Sequence, residues 1–91
     1  GKLGLVVILD KNQIKGIITD GDIRRTMESR EKEFFGLNAK DLMSSHPKSI
    51  QENDKLISAS NLMSENKINS LLVVNETNDF VGVVQMYDLG L

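Results

Sequence analysis

Thr19 and Asp22 stand three residues apart in the run GIITDGDIRR, where an apolar stretch gives way to acidic residues that favour the start of a helix. A helix N-terminus presents free backbone N–H groups and a partial positive charge, which suits a phosphate. A threonine hydroxyl there adds one more donor, and an aspartate carboxylate can accept from both hydroxyls of a sugar diol. Together the two side chains read as a grip for a sugar phosphate or a nucleotide. The competing reading needs no ligand, because Thr and Asp are both good helix caps, and on spacing alone it is the stronger. Arg24 and Arg25 follow directly. One of them could turn its guanidinium fork toward a ligand phosphate or carboxylate. Otherwise they form a solvated helix face, with Glu28 four residues on from Arg24. Neighbouring helix residues point about 100° apart, so at most one arginine reaches such a site, and Arg24 is preferred. Asp20 and Asp22 also make a D-x-D, but a hard cation needs more oxygen ligands than two carboxylates, so no metal site is expected.

These residues close a segment that occurs twice. Leu5 to Ile23 reads LVVILDKNQIKGIITDGDI and Leu71 to Leu89 reads LLVVNETNDFVGVVQMYDL. Aligned without a gap, Gly16 falls on Gly82, Asp22 on Asp88, and Val6, Val7 and Ile8 on Leu72, Val73 and Val74. Each copy is an apolar strand, a polar turn, a second strand and an Asp opening a helix, so two related units sharing a core are expected. Asp88 is then the image of Asp22, with Gln85 where the first copy has Thr19. A helical segment, residues 54–66, precedes the second copy. No room exists for its equivalent ahead of the first, and the sequence reads as a piece of a longer chain.

The remaining elements follow from pattern. Leu5 to Leu9 is a continuous apolar run, read as a buried strand that Asp10 to Gln13 turns back into a partner strand from Ile14 to Thr19. Gly16 inside that strand marks a close backbone approach. The first helix runs to about Ser29, with Ile23 and Met27 on its apolar side. Arg30 to Asn38 is a charged link whose Phe34 and Phe35 are expected to dock on the core or on a partner subunit. A short helical turn spans Ala39 to Met43, a loop Ser44 to Pro47 and a short strand Lys48 to Ile50. Asn53 or Asp54 caps a helix whose Leu56, Ala59 and Met63 form its buried stripe. Ser70 to Asn75 and Phe80 to Gln85 form the second strand pair, and Met86 to Leu91 opens a last helix. The expected class is α/β (α+β): small three-stranded sheets with flanking helices, the first unit truncated.

Composition excludes several functions. With 91 residues the chain makes one small domain, and 40% hydrophobic with 26% charged residues fits a globular one. A net charge of −2 offers no general attraction for nucleic acid or an anionic membrane, and 4% aromatics are too few for a base-stacking platform. Cysteine is absent, which removes disulfides and thiolate metal sites and fits a reducing compartment, so a cytoplasmic location is expected. His46 stands alone and reads as a loop residue.

DLMSSHPKSI at 41–50 resembles the opening of a cystathionine-β-synthase (CBS) motif, and GIITDGDI at 16–23 and GVVQMYDL at 82–89 resemble two CBS endings. The whole pattern is similar to a tandem CBS pair, with residues 1–38 as the later part of the first motif plus link and 39–91 as the second. The first ending fits the family pattern of Gly, two apolar residues, Thr or Ser, two variable residues and Asp; the second departs from it at Gln85. TDGDIRR at 19–25 with the later QMYDL is similar to the C-terminal CBS pair of arabinose-5-phosphate isomerases, which serve the sugar Kdo (3-deoxy-manno-octulosonate) of lipopolysaccharide and capsule. That resemblance implies a regulatory module without catalytic residues. It implies a nucleotide or nucleotide-sugar such as CMP-Kdo in the cleft between motifs. Thr19, Asp22, Arg24, Arg25 and Asp88 would be its contacts, with Ser45, His46 and Pro47 lining the cleft. The implied partners are a second copy and the isomerase domain of the parent chain. An assembly element without ligand sensing, or the CBS pair of another enzyme or a transporter, are the alternatives.

Overall fold

A computed structural model describes residues 4–85. The chain divides into two compact units, Gly1–His46 and Pro47–Leu91. Both are mixed α+β, as the sequence implies, and both are built on an antiparallel hairpin.

In the first unit β1 (Leu5–Asp10) pairs with β2 (Gln13–Thr19) in a two-stranded sheet. Lys11 and Asn12 between them have φ of 51° and 67°. Positive φ at both central residues matches the right-handed twist of two strands joined by a two-residue turn. Ile8 faces Gly16 but Leu9 faces Ile14, so Lys15 is an extra, bulged residue. Helix α1 (Asp20–Ser29) follows β2 at once, and the Asp20 N–H donates to the Gly4 carbonyl at 3.0 Å. The link beyond carries an Arg30–Glu33 ion pair at 2.9 Å, a 3₁₀ turn at Phe34–Gly36 and the four-residue helix α2 (Ala39–Leu42).

That link returns to β2. The Ile17 N–H donates to the Ser44 carbonyl at 3.1 Å and the Ser44 N–H to the Ile17 carbonyl at 2.8 Å, an isolated antiparallel bridge. Gly16 makes the approach possible: a Cβ there would lie 2.7 Å from the Ser44 carbonyl oxygen and 2.8 Å from Met43 Sδ. The close backbone approach read from the sequence is therefore present, and its partner is the Met43–Ser44 backbone and side chain.

The second unit has a three-stranded sheet in the order β3 (Ser49–Gln51), β4 (Ser70–Val74), β5 (Phe80–Gln85), with β3 parallel and β5 antiparallel to β4. Parallel strands need a crossover, and α3 (Leu56–Asn66) provides it. Ala59 and Met63, one turn apart, are fully buried against Leu71, with Ile50, Leu62, Ile68 and Val84 around them. Leu56 belongs to the expected stripe by spacing but stands 65% exposed, so the buried face begins one turn later. The cap also differs: Lys55 precedes the helix without a side-chain bond, and the Asp54 carboxylate instead accepts from the Gln51 N–H at 2.9 Å. Lys67, left-handed at φ 54°, ends α3, and the Ile68 N–H donates to the Met63 carbonyl.

The two hairpins correspond, but not without a gap. In the second, Val73 faces Gly82 and Val74 faces Phe80, making Val81 the bulged residue as Lys15 is in the first. The second turn, Glu76 to Asn78 between Asn75 and Asp79, is one residue longer. Hence Val6, Val7 and Ile8 correspond in register to Leu71, Leu72 and Val73, one residue earlier than the gapless alignment places them. The β2 and β5 halves keep the expected correspondence, Gly16 with Gly82 included.

Equivalent register does not give the two glycines equivalent surroundings. A Cβ at Gly82 meets no atom within 4 Å. Gly16→Ala is expected to destabilise the chain by about 1–3 kcal/mol, as overpacking against a fixed backbone does, whereas Gly82→Ala should stay within about 0.5 kcal/mol of the parent. Urea denaturation of the two variants checks this; equal losses would mean that the Ser44 contact does not set the requirement for glycine.

Candidate functional site

Thr19 ends β2 with extended backbone (φ −109°, ψ 167°), and its side chain caps α1. Its Oγ1 accepts from the Asp22 N–H at 3.2 Å, while Asp22 Oδ2 accepts from the Thr19 N–H at 2.8 Å. This reciprocal pair is a capping box, satisfying two backbone donors at the helix start. The second carboxylate oxygen is also engaged, since Arg25 Nη2 donates to Asp22 Oδ1 at 2.7 Å. Asp22's side chain is only 14% exposed and Arg25's 70%, so the arginine reaches in from solvent. The remaining backbone donors of the first turn and the acidic Asp20 and Asp22 complete the local electrostatics: a helix dipole already answered by carboxylates.

The arginine beside the carboxylate is thus Arg25; Arg24 is exposed and forms no pair with Glu28 among the contacts described. The signal was present in the sequence as the spacing of three between Asp22 and Arg25, a helix neighbour as good as four. Ser45 and His46 are exposed and Pro47 is half-buried. His46 has a positive φ of 62°, the left-handed region that few non-glycine residues adopt. Because the Ile17–Ser44 bridge is antiparallel, the chain leaves Ser44 in the direction of Gly16, away from Thr19. Asp88 lies outside the described residues. Its partner in spacing, Gln85, is half-buried and its Nε2 donates to Ser70 Oγ at 3.4 Å. Phe34 is half-buried and stacks edge-on against Phe35, centroids 5.5 Å apart, while Phe35 itself is 94% exposed rather than docked on the core. Among the described residues no three His, Cys, Asp or Glu side chains gather as a metal site would require, and no helix is long and apolar enough to cross a membrane.

The sequence model of the CBS domain family matches residues 39–89, and the chain belongs to that family. It is similar to arabinose 5-phosphate isomerases: 42% identical over 85 residues to a Haemophilus influenzae protein named a probable arabinose 5-phosphate isomerase, and 35% over 89 residues to KpsF of Escherichia coli. These matches cover 93% and 97% of this chain but 25% and 27% of the relatives, so the chain spans about a quarter of their length. In three dimensions it resembles a protein with CBS domains from Burkholderia ambifaria (TM-score 0.82, 21% identity, covering 96% of this chain and 63% of that one). It also resembles a CBS domain protein from Pyrobaculum aerophilum solved in complex with AMP (TM-score 0.80, 25% identity, 94% and 66%).

The capping box and the ion pair should be separable energetically. Thr19→Ala is expected to lower stability by about 1 kcal/mol, the usual loss of an N-cap, and Arg25→Ala by less than about 0.5 kcal/mol, because one partner is solvent-screened. Thermal and urea melts of both variants measure this; a larger loss from Arg25→Ala would assign the arginine a structural role that its exposure does not suggest.

Proposed function

We propose that this chain is the ligand-sensing regulatory portion of an arabinose-5-phosphate-isomerase-like protein, working in the cytoplasm and as a homodimer, and carrying out no reaction itself. The observation that carries the reading is the likeness along nearly the whole chain to isomerases four times its length, joined to a CBS ending that supplies both a hydroxyl and a carboxylate at a helix start. The ligand class is a nucleotide or nucleotide-sugar: an adenine nucleotide, as in the Pyrobaculum protein's AMP complex, or CMP-Kdo as the end product of the pathway the isomerases serve. Its phosphate would sit at the positive end of the α1 dipole, with Thr19 Oγ1 beside it, and its ribose or sugar diol on Asp22. Arg25 would give up Asp22 Oδ1 and turn to the phosphate, exchanging one charged partner for another. Arg24, Ser45, His46 and Pro47, with Asp88 from the second copy, are the further contacts proposed for it. Binding would bias the packing of the attached isomerase domains by about 1–3 kcal/mol, the usual size of such coupling.

A second reading, an assembly element without sensing, is favoured by Phe35, whose ring is 94% exposed and fits a contact between subunits. A thermal-shift panel of nucleotides and nucleotide-sugars separates the two, since a ligand that binds only the folded state raises the melting temperature.

For a nucleotide that binds, Asp22→Ala should weaken affinity about ten- to a hundredfold, the loss expected when a hydrogen bond to a charged group goes, and Asp88→Ala should weaken it less. Calorimetry decides this. Asp41→Ala removes the same kind of backbone-accepting carboxylate, bonded at 2.8 Å to the Asn38 N–H, from another helix start, and so controls for lost stability alone. Equal losses at Asp22 and Asp88 would contradict the asymmetry, and no loss at either would leave Asp22 as a cap.

A further inference from the structure

Three methionines lie among the described residues, each in a different setting. Met27 of α1 is 48% exposed, so its side chain already stands in water. Met63 of α3 is fully buried in the core. Met43, at the end of α2, is half-buried, and its thioether belongs to the seam of the first unit. The space that a Cβ at Gly16 would fill lies 2.8 Å from Met43 Sδ and 3.0 Å from its Cγ. The sulfur thus rests against bare backbone of β2. The next residue on each side makes the bridge, since Ser44 accepts from the Ile17 N–H and donates to the Ile17 carbonyl. A thioether is soft and apolar and tolerates such a contact. Its sulfoxide is bulkier by one oxygen, polar and chiral, and that oxygen requires a hydrogen-bond donor. The donors at this place are already used: the Ile17 and Ser44 N–H groups hold the bridge, and the Met43 N–H donates to the Ala39 carbonyl at 2.9 Å. An oxygen on Met43 Sδ therefore either competes for the bridge donors or turns out to water and carries the sulfur off Gly16. Both weaken the seam.

We infer that Met43 is a modification site: a hydroperoxide oxidises its thioether to the sulfoxide, and the oxide loosens the Ile17–Ser44 bridge. The sulfur lone pair attacks one peroxide oxygen, and an S–O bond forms as the O–O bond breaks. Sulfur gives up two electrons, and the second peroxide oxygen leaves as water or alcohol. A thiol-dependent reductase reverses the step, two thiols becoming a disulfide while the oxygen leaves as water. Met27 oxidises without this consequence, because its oxide sits in water, and Met63 is shielded by the core. Ser45 and His46 follow the bridge directly, so the chain there answers to the oxidation state of one sulfur. The inference is independent of any ligand.

The chain has no cysteine, so hydrogen peroxide acts on it through methionine. The folded 91-residue chain is treated with peroxide, oxidation is located by peptide mass spectrometry, and amide exchange is followed by NMR. Met43 should oxidise at least about tenfold faster than Met63, which reacts only when the core opens. With Met43 oxidised, the Ile17 and Ser44 amides should exchange at least about tenfold faster. The Ile68 amide, bonded to the Met63 carbonyl in the second unit, should keep its rate, which separates a loosened bridge from general unfolding. Methionine sulfoxide reductase with dithiothreitol should restore slow exchange at the bridge. Met43→Leu keeps an apolar side chain and loses the reactive sulfur, so peroxide should leave its bridge amides unchanged. Met43→Gln sets a polar oxygen in that place and should exchange fast at the bridge without peroxide. Met43 as resistant as Met63, an oxidised Met43 with unchanged bridge amides, acceleration that persists in Met43→Leu, or a slow bridge in Met43→Gln would overturn the proposal.

Discussion

A two-stranded hairpin has two faces and two edges, and it is stable in water only when other elements cover them. That constraint organises both units. In each, a bulge in the second strand, at Lys15 and at Val81, breaks the strict alternation of sides. The bulge sits one residue before the glycine. In the first unit that glycine admits Ser44 onto the edge of β2, so a segment with little regular structure serves as the neighbour that a third strand would otherwise be. In the second unit the covering comes from β3 and α3 on the other edge and face, and the fully buried Ala59, Met63 and Leu71 mark where it seals. Equal hairpins are thus stabilised by different neighbours.

The helix start at Thr19 has a comparable duality. A carboxylate accepting from the backbone N–H three residues earlier occurs at Asp22, at Asp41 and at Asp54, and only the first has a threonine as its partner. The device is therefore a local habit of this chain, used to fix turns wherever the backbone needs an acceptor. What singles out Asp22 is the combination of a largely buried carboxylate, a hydroxyl that returns the bond and a solvent-exposed cation on its outer oxygen. Capping and ligand binding draw on the same unpaired donors, which is why spacing alone cannot separate them.

Most of the architecture was legible because burial imprints itself on composition. LVVIL and LLVV are apolar without interruption, and strands flanked by polar turns follow from that. Gly16 could be read because a glycine inside such a run has few other uses. What escaped depends on geometry that residue types do not encode. The one-residue difference in turn length was hidden because both turns are polar and a gapless match kept the glycines aligned. Asp54 looked like a cap, but a carboxylate has several backbone donors within reach, and the N–H of Gln51 holds it. Leu56 fits the helical period, yet it stands exposed on the first turn of α3, and period alone does not say where along a helix the covering ends. The Arg25–Asp22 pair escaped because a helix-face partner was considered only for Arg24, at Glu28 down the helix, whereas the paired carboxylate lies three residues up it from Arg25.

The Ile17–Ser44 bridge has a kinetic side. Its partners are far apart in the chain, whereas β1, β2 and α1 are made of neighbours, and local contacts form before those that must first close a long loop. The hairpin and its helix can assemble with Met43 and Ser44 still unbound, so the bridge closes late. Order of formation is not order of stability: opening the bridge would take from β2 the neighbour that covers its edge. The Thr19–Asp22 box lies in the locally assembled part, and Ser45 and His46 directly follow the bridge that closes last. The first unit thus assembles in two steps, one local and one that must close a long loop, with Gly16 at the seam between them.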